Sequence, residues 1–281
     1  MLGLAVGDAL GITTEGQLPA DRRLDQGVIR GYLPNRHVRL APGQPALGYS
    51  SDDTQLAFWA LEQVVEDDGL VPERVARRFT RGRIFGVGSA VKAFLRELKS
   101  GKLWFLCGQH SAGNGALMRI APVLIPPAAG WWVSRFVETA SDLELPTLYT
   151  PRGGSCVGWK GTLSAFVREK VEAARSLGLD ALAACNGWHS GAYLLETVPS
   201  VLYILERHGH NPEEAIVRAV NGTKDNDSIA AIVGAAVGAL HGKKKLPAPW
   251  VERLTGRTTD RDDGKVFEIL ALARRRWGTE S

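Results

Sequence analysis

Apolar residues recur at three- and four-residue spacing through segments 55–66, 73–80, 89–99, 131–140, 163–176, 191–208, 212–220, 228–241 and 264–276. That periodicity lays one face of an α-helix against a core, and convincing period-two strands are absent, so the pattern predicts an all-α protein. The run from Tyr193 to Leu205 is long enough for several turns. Pro199 is expected to kink it or to start a new helix, because proline lacks the N–H that bonds back to the preceding turn. In the stretch Ile229–Leu240, small residues including Gly234 and Gly238 recur every four positions. This spacing lets neighbouring helix backbones approach closely. Bounded by Asp227 and His241, the stretch is too short to cross a bilayer and predicts a central core helix. The opening Met1–Asp8 has no basic start and meets a charge at Asp8, so it reads as a buried helix, neither a signal peptide nor a membrane span.

Between these segments lie Gly- and Pro-rich loops at 13–50, 100–116, 141–162 and 221–227, where binding chemistry is expected on a rigid helical scaffold. The chain of 281 residues shows no low-complexity linker, so residues 1–281 are expected to form one domain. The net charge of +4 is spread along the chain, which argues against a nucleic-acid groove and only weakly for an anionic ligand. The one dense basic run, Lys243-Lys244-Lys245, reads as a solvated turn at a helix C-terminus, where cations are favoured. Cys107, Cys156 and Cys185 are far apart and lack any metal-ligand spacing, as expected of a reduced, cytoplasmic protein.

Two acidic segments carry the candidate chemistry. Ser51-Asp52-Asp53-Thr54 precedes a helix-like run, and its adjacent carboxylates and hydroxyls form a hard-oxygen cluster suited to Mg²⁺ or Mn²⁺. Taken alone, the same residues make an ordinary helix N-cap. Asp225-Asn226-Asp227-Ser228 precedes the small-residue helix, whose burial makes uncompensated carboxylates expensive. Asp225 and Asp227 can share one site only if the loop curls around it. Two such segments together point to a pair of divalent ions about 3.5–4 Å apart, able to clamp vicinal hydroxyls and activate water. Glu15 stands on a loop after the first helix, placed to act as a base or to hold water. Ser111-Ala112-Gly113-Asn114-Gly115 is Gly-rich before an expected apolar helix, so its backbone N–H groups and that helix N-terminus are candidates for receiving a diphosphate. In Gly187-Trp188-His189-Ser190-Gly191-Ala192-Tyr193, Trp188 and Tyr193 are candidates for stacking on a base, although aromatics more often anchor a loop to the core. His189 is expected to be a hydrogen-bonded loop residue.

The order of these motifs resembles the ADP-ribosylglycohydrolases, the family that includes the dinitrogenase-reductase-activating glycohydrolase. The likeness rests on Gly3-Leu4-Ala5-Val6-Gly7-Asp8-Ala9-Leu10-Gly11 with Glu15, on Ser51–Thr54, on Gly113-Asn114-Gly115-Ala116 with Met118-Arg119 and Pro122, and on Asp225–Ser228 before Ala230-Ala231-Ile232 and Gly234. It runs from residue 3 to about 242. The resemblance implies a compact orthogonal bundle of helices with a binuclear Mg²⁺ or Mn²⁺ centre in a cleft. It also implies hydrolysis at C1 of the distal ribose of an ADP-ribosylated protein or small molecule.

Carried over by position, Ser51, Asp52 and Asp53 correspond to one set of metal ligands, and Asp225, Asp227 and Ser228 to the other. Glu15 and Asp53 are the candidate catalytic carboxylates. Ser111, Gly113, Asn114 and Gly115 correspond to the loop that contacts the diphosphate and distal ribose. Where family members often carry a Thr-His pair, this chain has Thr147-Leu148-Tyr149-Thr150 without a nearby His, so Tyr149 is the candidate for that contact. Two other readings stay open: a metal-dependent nucleotide or phosphate-ester hydrolase, and an ADP-ribose-binding relative that has lost turnover.

Overall fold

The computed structural model describes residues 1–35, 47–109, 111–126, 159 and 161–278. Among them the regular structure is helical, apart from one isolated antiparallel bridge between Gly113 and Tyr193. In chain order the helices are α1 (Leu2–Gly11), α2 (Pro19–Gln26), α3 (Asp52–Asp67), α4 (Pro72–Arg78), α5 (Ser89–Lys99), α6 (Leu163–Ser176), α7 (Ala181–Gly187), α8 (Leu194–His208), α9 (Pro212–Gly222), α10 (Asn226–His241), α11 (Ala248–Arg253) and α12 (Lys265–Trp277). Short 3₁₀ turns include Ile12–Thr14, Asn114–Arg119 and Lys243–Lys245.

The small residues of α10 decide the architecture. A β-carbon on Gly3 would fall 2.0 Å from the Gly234 carbonyl oxygen, and one on Gly7 would fall 2.0 Å from that of Ala230. The α1 and α10 backbones therefore touch, running antiparallel, as the four-residue spacing predicts. Around this pair, Val6, Leu10, Phe58, Ile204, Ile216, Val220, Ile229 and Val233 form the main core. A smaller apolar cluster of Leu56, Trp59, Phe79, Ile84, Val91 and Met118 joins α3 to α4, α5 and the Asn114–Arg119 turn. The antiparallel pairing brings the C-terminal end of α1 and the N-terminal end of α10 to one end of the molecule, where the acidic residues lie.

Most predicted helices are present with slightly shifted ends. The segment 131–140 lies outside the described residues. Pro199 does not start a new helix: α8 runs through it from Leu194 to His208. The loops predicted at 13–50 and 221–227 are shorter than expected, because α2 occupies part of the first and α10 begins at Asn226. The 100–116 loop leads into a six-residue 3₁₀ turn, where an apolar helix was expected. Lys243, Lys244 and Lys245 form an exposed turn after α10, as anticipated. No helix among the described residues is long and apolar enough to cross a membrane.

Candidate active site

Ser51 is the N-cap of α3, its hydroxyl accepting from the Asp53 N–H at 3.1 Å. The cap reading of this segment is therefore correct as far as it goes. A second acceptor reaches the same turn from α1. The fully buried Asp8 carboxylate accepts from the Ser51 N–H and the Thr54 N–H, each at 3.0 Å, and from the Thr54 hydroxyl. Asp8 thus satisfies two of the orphan donors of the helix start, a task a local side chain usually performs. With Asp8 and Ser51 holding the backbone, Asp52 and Asp53 turn into a cleft.

The second segment is organised by Asn226. Its buried amide donates to the Gly11 carbonyl at 3.0 Å, the Thr14 hydroxyl at 2.9 Å and the Val220 carbonyl at 3.2 Å, locking the first turn of α10 against the end of α1. Asp225 and Asp227 share the cleft because the chain is already helical at Asn226; the predicted curl of an extended loop is supplied by a helix start. Gly11 lets this happen, since a β-carbon there would fall 2.5 Å from the Asp227 backbone nitrogen. Glu15 is brought alongside by the buried Arg22. Its guanidinium donates to the Val220 and Thr223 carbonyls at 2.8 Å each and to the Thr14 and Gln17 carbonyls at 3.2 and 2.9 Å. The Glu15 turn is thereby tied to the end of α9.

The result is one cleft of about 690 Å³ lined by Glu15, Asp52, Asp53, Asp225, Asp227 and Ser228 on one side, and by Val75, Phe79, Val91, Phe94 and Trp104 on the other. Glu15, Asp225 and Asp227 each offer a carboxylate oxygen, all within 4.8 Å of one another. Ser228 links the two segments, because its hydroxyl lies within hydrogen-bonding reach of both Asp53 and Asp225.

Burial pushes all five carboxyls up. Asp52 rises to about 7, through burial first and then the charge of Asp8. Asp53 and Asp227 lie well above the usual carboxylate range, again through burial, then through Asp8 and Asp52 for the former and Asp53 and Asp225 for the latter. Asp225 is raised by burial against the opposing hydrogen bond from Asn114. Glu15 is exposed as a residue, but the desolvation of its carboxyl and the charges of Asp225 and Asp8 raise it too. One oxygen of Asp53 and one of Asp227 are buried with no hydrogen-bond partner. Crowded carboxylates with orphaned oxygens are costly unless a cation joins them, and an all-oxygen donor set suits a hard divalent ion. The residues present therefore fit a metal centre of that kind.

The ADP-ribosylglycohydrolase family model matches residues 1–280. The chain belongs to the ADP-ribosylglycohydrolase family. It is 26% identical to the ADP-ribosylarginine hydrolase Tri1 of Serratia proteamaculans, over 90% of this chain and 74% of that protein. It is 25% identical to the ADP-ribosyl-[dinitrogen reductase] glycohydrolase of Rhodospirillum rubrum, over 97% and 94% respectively. Among solved structures, an ADP-ribosylglycohydrolase-related protein complex superposes with a TM-score of 0.58 at 24% identity, covering 99% of this chain and 96% of that one, a likeness in fold. The all-α prediction holds, and membership makes the chain a glycohydrolase of ADP-ribosyl groups.

The remaining candidate residues of this glycohydrolase fare differently. Ser111, Gly113, Asn114 and Gly115 all line the cleft. Two of the loop's amides are already engaged, however: the Gly113 N–H by the Ser111 hydroxyl at 3.2 Å and the Asn114 N–H by the Ala192 carbonyl at 3.0 Å. The Asn114 side-chain amide is also engaged, donating to Asp225 and, at 3.0 Å, to the Thr197 hydroxyl. Tyr149 and Thr150 lie outside the described residues.

Trp188 is an anchor in the core. Its indole N–H donates to Ser200 at 2.6 Å and its ring meets Tyr203 edge-on at 5.9 Å. Tyr193 is likewise buried and does not line the cleft. His189 pairs with the Lys224 ammonium at 3.1 Å, the hydrogen-bonded loop role expected of it. Sequence reasoning missed the Asp8 clamp and the place of Arg119. That guanidinium lines the cleft near Asp52 and Asp53, stacks over Phe79 at 5.5 Å and keeps one buried nitrogen unpartnered. A signal for Asp8 was available: a single carboxylate inside an otherwise apolar helix needs a partner.

Proposed function

We propose that this chain hydrolyses the bond at C1 of the distal ribose in an ADP-ribosylated protein or small molecule, with a pair of Mg²⁺ or Mn²⁺ ions as cofactors. The observation that carries this reading is the convergence of both acidic segments and Glu15 on one cleft, with buried carboxylate oxygens left unpartnered. In this reading Ser51, Asp52, Asp53, Asp225, Asp227 and Ser228 hold the ions, which when bound fix the ribose hydroxyls and acidify water. Asp53 and Glu15 orient or deprotonate the attacking water, and burial together with the charges of Asp225 and Asp8 raises the proton affinity of Glu15. The ring of carboxylates stabilises the positive charge that builds at the anomeric carbon. Ser111, Gly113 and Gly115 receive the diphosphate, while Asn114 serves the ligand through Asp225; Tyr149 is assigned the remaining diphosphate contact from its place in the sequence alone.

Relatives named as ADP-ribosylarginine hydrolases make the arginine linkage the first to assay. The test measures release from ADP-ribosyl-arginine, ADP-ribosyl-serine and O-acetyl-ADP-ribose with Mg²⁺ or Mn²⁺. ADP-ribose should be released, a chelator should abolish the reaction, and Asp225→Ala and Asp52→Ala should each be inactive with an unchanged helical circular-dichroism signal. Full activity in chelator overturns the metal mechanism. Release of phosphate identifies a phosphohydrolase, and tight ADP-ribose binding without turnover identifies a binding relative.

A further inference from the structure

Thr197 lies in the first turn of α8, fully buried and outside the cleft lining. Its hydroxyl donates to the Gly191 carbonyl at 2.9 Å and accepts from the Asn114 amide at 3.0 Å. The same Asn114 nitrogen donates to an Asp225 carboxylate oxygen. A hydroxyl has one proton, and here the Gly191 carbonyl takes it, so towards Asn114 the Thr197 oxygen can only accept. That fixes which end of the Asn114 amide faces inward. With the amide reversed, its oxygen would oppose the Asp225 carboxylate, and Thr197 would have to release Gly191 to donate to it. Both N–H bonds of Asn114 are therefore aimed by a residue that touches no ligand.

The surroundings of Thr197 are built to hold it. Gly191 is pinned from its other side, its N–H donating to the buried Glu196 carboxylate at 2.9 Å. The preceding residues His189 and Ser190 adopt left-handed backbone conformations, with φ of 74° and 42°. Such conformations persist only where the surroundings enforce them. The strained Ser190 carbonyl in turn accepts the Lys224 and Asp225 N–H groups at 3.2 and 3.0 Å. Asp225 is thus held twice by one segment: its backbone by Ser190, and its carboxylate through Gly191, Thr197 and Asn114.

We propose that Thr197 is a positioning residue of the metal centre, which sets the amide orientation of Asn114 and through it the carboxylate of Asp225. This rests on the metal reading given above. Partners behind a ligating carboxylate are worth about 10- to 100-fold in metal affinity. The test titrates Mn²⁺ alone into the full chain by calorimetry. Thr197→Val removes the hydroxyl at constant volume and should weaken Mn²⁺ binding about 10- to 100-fold. Thr197→Ser keeps the hydroxyl and should stay within about threefold of the wild type by the same comparison. If Thr197→Val does not fold, Thr197→Ala takes its place.

A purely structural role would lower the melting temperature of the serine and valine variants without separating their Mn²⁺ affinities. Wild-type affinity in Thr197→Val overturns the proposal, as does a serine variant as weak as the valine one. A wild-type protein that binds no Mn²⁺ overturns the metal reading itself, and this inference with it.

Discussion

Ser51–Thr54 and Asp225–Ser228 meet on the acidic side of the cleft, yet they are held in different ways. The first is held by side chains that reach it from a distance: Asp8, 43 positions earlier, accepts from its Ser51 and Thr54 amides. The second adds direct backbone contact to its hydrogen bonds, since Gly11 packs on the Asp227 main chain and a β-carbon would fall 2.5 Å from it. Hydrogen bonds to a carboxylate tolerate small shifts, whereas two backbones in contact do not. The difference teaches that the second segment is the rigid half of the site and the first the adjustable half.

The sharpest way to break that comparison is Gly11→Ala. The new methyl has no flexible neighbour to displace, so α1 and α10 must separate where Asp227 sits. Overpacking of this kind destabilises by about 1–3 kcal/mol, and here it also moves a candidate ligand. We expect at least a tenfold loss of turnover, since misplacing catalytic groups by about 1 Å costs on the order of a hundredfold. The measurements are urea unfolding and single-substrate kinetics. Unchanged turnover would show that the second segment is as adjustable as the first.

A smaller effect comes from protons. In the metal-free protein, burial raises the carboxyls of Asp8, Asp52, Asp53, Asp225, Asp227 and Glu15, with Asp52 at about 7. A carboxyl raised on folding binds its proton more tightly in the folded state than in the unfolded one. Its stabilising effect is therefore fully present below the unfolded value near 4 and is lost as pH rises through the folded value. Melting temperature in chelator should accordingly climb as pH falls from 7.5 to 5. Added Mn²⁺ should shrink or reverse the trend, because metal ligands must be deprotonated. A metal-free protein that is more stable at pH 7.5 than at pH 5 would show that the cleft carboxylates are compensated by groups other than a cation.

Much of this was legible in the chain. Period-3.6 segments marked the large helices, and the four-residue spacing of Gly234 and Gly238 foretold close packing, because both signals are local. What escaped was non-local or polar. Helix α2, Pro-Ala-Asp-Arg-Arg-Leu-Asp-Gln, hides because its buried residues are Pro19 and Arg22, while its one large apolar residue, Leu24, is 86% exposed. Helix α7 is short and made of small residues, with too few turns to show a period. The partners of Asp8 and Asn114 lie 43 to 111 positions away, and no spacing rule joins them. The acidic motifs could be listed from sequence, but their supports could not.

The smallest effect separates the two duties of Ser51, which caps α3 and is also assigned to the metal. Ser51→Ala removes both and should cost about 1 kcal/mol of stability, the usual value of an N-cap. Ser51→Asn keeps an acceptor for the Asp53 N–H, since asparagine caps as well as serine, but replaces the hydroxyl with an amide oxygen on a longer arm. The asparagine variant should therefore unfold at nearly the wild-type urea concentration and yet bind Mn²⁺ more weakly. Ser51→Thr, which retains the hydroxyl, should match the wild type in metal affinity. If all three variants bind Mn²⁺ as the wild type does, Ser51 is a cap alone. The adjustable half of the site would then consist of Asp52 and Asp53.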